Sequence, residues 1–184
     1  MYFLSHADVV IDPEIPITDW CLSERGRERI VAGLMQPWLS SVTAIWSSTE
    51  RKALDTAEIL ADFLGMEVQE RADLGENDRS STGYLPRAEF EKTAHAFFAN
   101  PDRSARGWAP ARVEQGRIVS AFDEVRRLEP NGTPLIVSHG AVGALLLAHL
   151  LDQPISRDLD QLANGGGNWF SAFDPSPSWK VFDD

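Results

Sequence analysis

The sequence predicts a single α/β domain: a mostly parallel sheet flanked by helices on both faces. Three observations predict it. Strand-like apolar runs alternate with helical periods along the whole chain, the pattern of a parallel sheet covered on both sides. At 184 residues the chain suffices for one well-packed core and is short for two. Its composition, 43% hydrophobic and 24% charged, is that of an ordinary globular protein. Neither an internal repeat nor a linker divides residues 1–184.

The elements follow in order. Tyr2 to Ser5 is a short buried strand, ending at His6. Ser23 caps a helix whose apolar face is Ile30, Val31, Leu34, Met35 and Trp38, with Pro37 near its end. Val42 to Ser47 reads as a strand. A helix from about Glu50 carries Leu54, Ala57, Ala61 and Leu64 on one face and stops at Gly65. Met66 to Gln69 is a short strand. Residues 75–110, rich in glycine and proline, form an insertion with one helix from Arg87 to Phe98, placed to act as a substrate wall or lid. Ala111 to Leu128 is helical by its spacing of Ile118, Ala121, Phe122 and Val125. Pro134 to Ser138 is the next strand, and His139-Gly140 opens the helix Ala141 to Leu151. The run Gly165 to Gly167 permits a tight connection and lacks the lysine of a nucleotide loop. Trp169 to Phe173 and Trp179 to Phe182 are strand-like, joined by the turn Asp174-Pro175-Ser176-Pro177.

The formal net charge of −11 argues against broad contact with nucleic acid, whose phosphates demand a cationic surface. A local cluster of cations can still oppose that field and take a small anion. Cys21 is the single cysteine, which excludes an intrachain disulfide and fits a reducing compartment. With no basic n-region and no apolar run of spanning length, the expectation is a cytoplasmic protein without a membrane partner. Exposed apolar edges leave room for a homodimer.

The chemistry lies at strand ends. Ser5-His6 and Ser138-His139-Gly140 each close an apolar run, and Ser47-Ser48-Thr49-Glu50-Arg51 closes a third. Side chains just past the carboxyl ends of parallel strands share one crevice, so two imidazoles and a guanidinium can meet there. Neutral imidazole is a nucleophile toward phosphorus, and a phosphoimidazole hydrolyses readily. The transferring group spreads negative charge over its oxygens and needs fixed cationic donors. A carboxyl of raised pKa protonates the leaving oxygen, and Glu76 is the best placed. His95 and His149 lie within helical patterns and read as structural.

These residues resemble the histidine phosphatase superfamily, also called phosphoglycerate-mutase-like. Ser5-His6-Ala7 occupies the place of its Arg-His-Gly motif. Leu22-Ser23-Glu24-Arg25-Gly26 resembles its Leu-Thr/Ser-x-x-Gly helix opening. The segment Ser47 to Ala57 resembles Ser-Ser-x-x-x-Arg-Ala-x-x-Thr-Ala, whose arginine is set against Arg51, beside Lys52. Leu74-Gly75-Glu76 matches the proton-donor segment, and Val137-Ser138-His139-Gly140 the second-histidine motif. The resemblance implies a phosphohydrolase acting on a phosphomonoester or a phosphohistidine protein, with mutase action the lesser option and no metal or organic cofactor. It makes His6 the phosphorylated nucleophile, has Arg51 and His139 hold the phosphoryl oxygens, and has Glu76 protonate the leaving group. Ser5, Gly140 and Asn168 join them as phosphate-binding positions.

Four departures from the family pattern support an alternative: a catalytically weakened member that binds an anionic ligand or a protein partner. Ser5 brings no charge where the family has arginine, and Ala7 replaces a glycine. Asp8 and Asp12 add negative charge. Arg79, Arg87, Arg103 and Arg106 of the insertion are the candidates to compensate.

Overall fold

The computed structural model describes residues 1–184. Six strands form one sheet: β1 (Tyr2–Ser5), β2 (Ala44–Ser47), β3 (Val68–Glu70), β4 (Pro134–Ser138), β5 (Asn168–Ser171) and β6 (Lys180–Val181), in the order β3-β2-β4-β1-β5-β6. The pairs β3–β2, β2–β4 and β4–β1 are parallel, and β5 alone runs against the rest. The helices are α1 (Glu24–Ala32), α2 (Arg51–Leu64), α3 (Arg87–Ala99), α4 (Ala111–Leu128) and α5 (Gly140–Leu150). The predicted mostly parallel, helix-flanked sheet is the observed one. No helix is long and apolar enough to cross a membrane.

Period-two alternation of the strands builds a core on each face. Phe3, Trp46, Ile136 and Phe170 point to one side, where they join Phe97 and Phe98 of α3, Ile118 and Phe122 of α4, and Leu145 of α5. Leu4, Ile45, Leu135, Val137 and Trp169 point to the other, against Ile30 of α1 and Ala53, Ala57 and Leu60 of α2. Because β1 and β4 are buried from both sides, their sequences are apolar runs closed by a single serine.

Ser23 caps α1 as expected, its Oγ accepting from Gly26 N at 3.0 Å. The helix is shorter than its apolar pattern suggested. It ends at Ala32 and gives way to 3-10 turns at Gly33–Met35 and Pro37–Ser41. Val31 (55% exposed) and Met35 (81%) lie outside the core. At Gly33 the chain packs so close to Phe182 that a Cβ would lie 2.2 Å from the ring.

Strand register gathers the site. Ser5 pairs with Ser138 and Ser47 with Val137. His6 N then donates to Ser138 O (2.9 Å) and Ser48 N to Val137 O (3.0 Å). His6, Ser48 and His139 therefore stand together just past the ends of three adjacent strands. The glycine run fastens this edge. All three glycines have φ between +64° and +90°, a region closed to most side chains. Gly167 N donates to His6 O at 2.9 Å, and a Cβ on Gly166 would sit 2.2 Å from that oxygen.

Candidate active site

His6 lies at the wall of a cavity of about 400 Å3. Its Nδ1 is 2.8 Å from Ala7 O. A carbonyl only accepts, so Nδ1 carries the proton and the Nε2 lone pair is left free of protein partners. Burial, reinforced by the nearby Lys52 ammonium, pushes the His6 pKa down to about 4. The ring is thus neutral at pH 7, as a nucleophile must be.

The His139 ring stands 5.1 Å from that of His6, centroid to centroid, at 71°. It is fully buried, and burial first, then the neighbouring His6 ring, hold its pKa well below the ordinary value. Its Nε2 meets Ser48 Oγ at 2.9 Å and Glu50 Oε1 at 3.4 Å, while Nδ1 has no partner.

Arg51 does not enter the site. Its guanidinium is half exposed and pairs with Asp55 and Glu58, the latter at 3.2 Å. Counting along the motif explains the miss: with Ser47-Ser48 and Ala53 aligned, the arginine position is Lys52. On α2 the one-residue step turns a side chain by about 100°, from the surface to the sheet edge. Lys52 is buried, donates to Ile17 O at 2.8 Å and pairs with Glu50. Glu50 in turn accepts from Glu76 N at 2.7 Å. Sequence reasoning passed over this buried pair and Ser48, though all three stand in the quoted motif.

Glu76 lines the cavity, but in the opposite charge state from the one expected. Burial would raise its pKa; Arg79 at 3.3 Å, His139 and the Asn77 N–H outweigh it, and the carboxyl stands below the ordinary range. Its oxygens also accept from Ala141 N (3.3 Å) and Val142 N (3.1 Å), so a carboxylate already occupies the first turn of α5.

Two predicted phosphate ligands are closed off. Ser5 is fully buried; its Oγ donates to Gln161 Oε1 at 2.6 Å and accepts from Asn168 N at 3.1 Å. The Asn168 amide is also buried and turned to Gln161 (3.2 Å) and Asn164 (2.9 Å). Gln161 fills the space beside Gly140, which does line the cavity. No signal in the sequence marked Gln161, because it reaches β1 from a loop 156 residues away.

The segment 75–110 supplies the facing wall, including Asn77, Arg79, Phe90 and Trp108. Of its arginines, Arg79 lines the cavity, and Arg106 pairs with Glu89 on the surface (3.1 Å). Arg87 lines an adjoining apolar groove of about 260 Å3. At the far end Arg157 is paired with Glu91 (2.8 Å) and Asp160 (2.7 Å). Asp8 also lines the cavity and accepts from Ser23 Oγ at 2.7 Å. His95 and His149 are exposed on helices.

A helix-flanked, mostly parallel sheet with two histidines side by side at its carboxyl edge is a phosphoglycerate-mutase-like architecture. The chain belongs to the histidine phosphatase superfamily (branch 1), whose profile matches residues 14–182. Solved structures agree over nearly the whole length. A mycobacterial glucosyl-3-phosphoglycerate phosphatase with inorganic phosphate superposes with a TM-score of 0.75 at 25% identity, covering 98% of this chain and 94% of the other. YhfR from Bacillus stearothermophilus gives 0.77 at 21% identity, covering 98% and 93%. A phosphoserine phosphatase mutant from Entamoeba histolytica in complex with phosphoserine gives 0.73 at 19%, covering 100% and 95%. No curated protein sequence matches the chain significantly. The profile match begins after His6, so the Ser-His-Ala departure lies outside it.

Proposed function

We propose that the protein hydrolyses phosphomonoesters through a phosphohistidine intermediate on His6. The observation that carries this reading is the fixed neutral tautomer of His6, with Nδ1–H tied to Ala7 O and Nε2 open to a ligand-sized cavity. The similar mycobacterial and Entamoeba proteins are named as phosphatases, which supports the same reaction class.

In the first step the Nε2 lone pair forms a bond to phosphorus as the bond to the leaving oxygen breaks. Lys52, buried close behind the two rings, sets its positive charge against the phosphoryl group, and the neutral His139 ring stands 5.1 Å from that of His6 beside it. Glu76 is ionised in the resting protein, so the proton for the leaving oxygen enters with the substrate's monoanion and passes through the Glu76 carboxyl. Two carboxylates at the site, Glu50 and Glu76, favour that monoanion over the dianion. In the second step water attacks phosphorus as the P–Nε2 bond breaks, Glu76 takes the water's proton and passes it to the departing phosphate, and neutral His6 and the Glu76 carboxylate are restored. Residues 75–110 serve as the substrate wall.

The test is turnover of an aryl phosphate by the wild-type protein and by His6→Ala, with vanadate as inhibitor. We expect vanadate-sensitive hydrolysis that is abolished in the variant; equal turnover by both proteins rules the nucleophile out. The closed-off Ser5 and Asn168 favour one second reading, a member that binds an anion without turning it over. Phosphate binding by a wild-type protein that hydrolyses no ester would establish that instead.

A further inference from the structure

We propose that Arg79, oriented by Asn77, grips the phosphoryl oxygens directly, supplying from the Glu76 loop the guanidinium that β1 lacks at Ser5. The inference rests on the phosphatase reading for its place in catalysis, but the anion site it describes stands on separate observations.

The first is what these two side chains leave unpaired. Arg79 Nε and Nη2 both donate to Asn77 Oδ1, at 3.3 and 3.2 Å, and Nη2 also lies 3.3 Å from Glu76 Oε2. Nη1 bonds to nothing in the protein. Asn77 is 3% exposed, and its Nδ2 has no partner at all. A buried amide that has given its oxygen to an arginine and kept two idle N–H donors is costly without a ligand. Both residues line the cavity that holds His6.

The second is how Arg79 is seated. Its guanidinium carbon lies 4.8 Å from the centre of the Phe90 ring and 5.3 Å from that of Trp108. Cation–π contact of this kind fixes the plane of the fork before any ligand arrives. Lys52, by contrast, is not part of the cavity lining and is spoken for by Glu50 and Ile17 O. Arg51 and Arg106 are paired elsewhere, and Arg157 is held by two carboxylates.

The third is the link to Glu76. Arg79 is the foremost charge holding that carboxyl low. A phosphoryl group that draws the guanidinium onto its own oxygens weakens this hold, and Glu76 then accepts a proton more readily. Anion binding and readying of the acid are thereby one event.

The experiment compares wild-type, Arg79→Ala, Arg79→Lys, Asn77→Asp and Arg106→Ala proteins. Inorganic phosphate binding is measured by calorimetry, and aryl phosphate turnover and vanadate inhibition are measured in parallel. Arg79→Ala is expected to lose about 10²–10³-fold in kcat/KM, as for removal of a transition-state donor. Phosphate binding should fall alongside, with partial rescue by added guanidinium and little rescue by lysine. Asn77→Asp keeps an acceptor for Arg79 but replaces the idle donors with negative charge, and should also lose phosphate. Arg106→Ala should match wild type. Circular dichroism confirms folding, and should Arg79→Ala fail to fold, Arg79→Lys and Asn77→Asp decide the matter. Phosphate affinity unchanged in Arg79→Ala, or a wild-type protein that binds neither phosphate nor vanadate, overturns the proposal. A wild-type protein that hydrolyses no ester, yet loses phosphate on Arg79→Ala, refutes the phosphatase reading and sustains this one.

Discussion

Replacing Lys52 by methionine is the sharpest perturbation the site offers. The ammonium is buried, and its two contacts are the Glu50 carboxylate and Ile17 O. Lys52→Met keeps most of the apolar stem but strands Glu50, which is only 12% exposed, beside Glu76 with no cation against it. Breaking a buried pair from one side costs about 3–5 kcal/mol, most of it the uncompensated charge left behind. For a domain of this size that lowers Tm by about 6–20 °C. Glu50→Gln should cost a similar amount, because it strands Lys52 while the amide oxygen still accepts from Glu76 N. The double variant removes both charges and should recover most of the loss, since uncharged isosteres of a buried pair are often nearly neutral. Urea unfolding of all four proteins at neutral pH closes the cycle. Stability losses that simply add in the double variant refute the pairing, and with it the placement of Lys52 as the buried cation behind the two histidines.

Four further outcomes follow from the same geometry. Arg51→Ala should leave kcat/KM within about twofold and cost about 1–3 kcal/mol, since the guanidinium is half exposed but its partner Asp55 is fully buried and keeps only Arg27; a large kinetic loss would return Arg51 to the site. Ser5→Arg should destabilise by about 3 kcal/mol or more without raising the phosphatase rate. It overfills a closed position and breaks the bonds to Gln161 and Asn168; a tenfold gain in rate, roughly one kcal/mol and more of transition-state binding, would contradict that. Both imidazoles have folded-state pKa values below the unfolded value, so the unfolded chain binds more protons as pH falls from about 6.5 toward 4. Stability should therefore drop across that window, by about 1.4 kcal/mol per pH unit for His6 alone, and His6→Asn should flatten the slope. Turnover should follow a bell, falling below about pH 4 as His6 protonates and above about 6 as the substrate loses its second proton; a rate that climbs steadily toward alkaline pH is the opposing result.

What the sequence reveals and conceals divides along physical lines. Strand ends were legible because β1 and β4 are buried on both faces and read as apolar runs closed by one serine before the residue that leaves the sheet. That step is His6 in one case and His139 in the other. The glycine run was legible because only glycine holds those positive φ values against the His6 carbonyl. Helix register was not. Arg51 and Lys52 are adjacent cations, and a one-residue difference on α2 decides which is buried. The charge state of Glu76 was hidden too, because Arg79 and the first turn of α5 set it together. The closure of Ser5 by Gln161 was equally out of reach, since that contact joins the first strand to a loop near the end of the chain.

The account turns on a covalent bond between phosphorus and His6 Nε2. Rapid mixing with an aryl phosphate, quenching in alkali and intact-mass measurement test it directly. The account predicts a species heavier by one phosphoryl group, stable in base, lost on acid treatment, mapped to His6 and missing from His6→Asn. Turnover of the ester with no such species, or a phosphoryl group mapped to another residue, would contradict it.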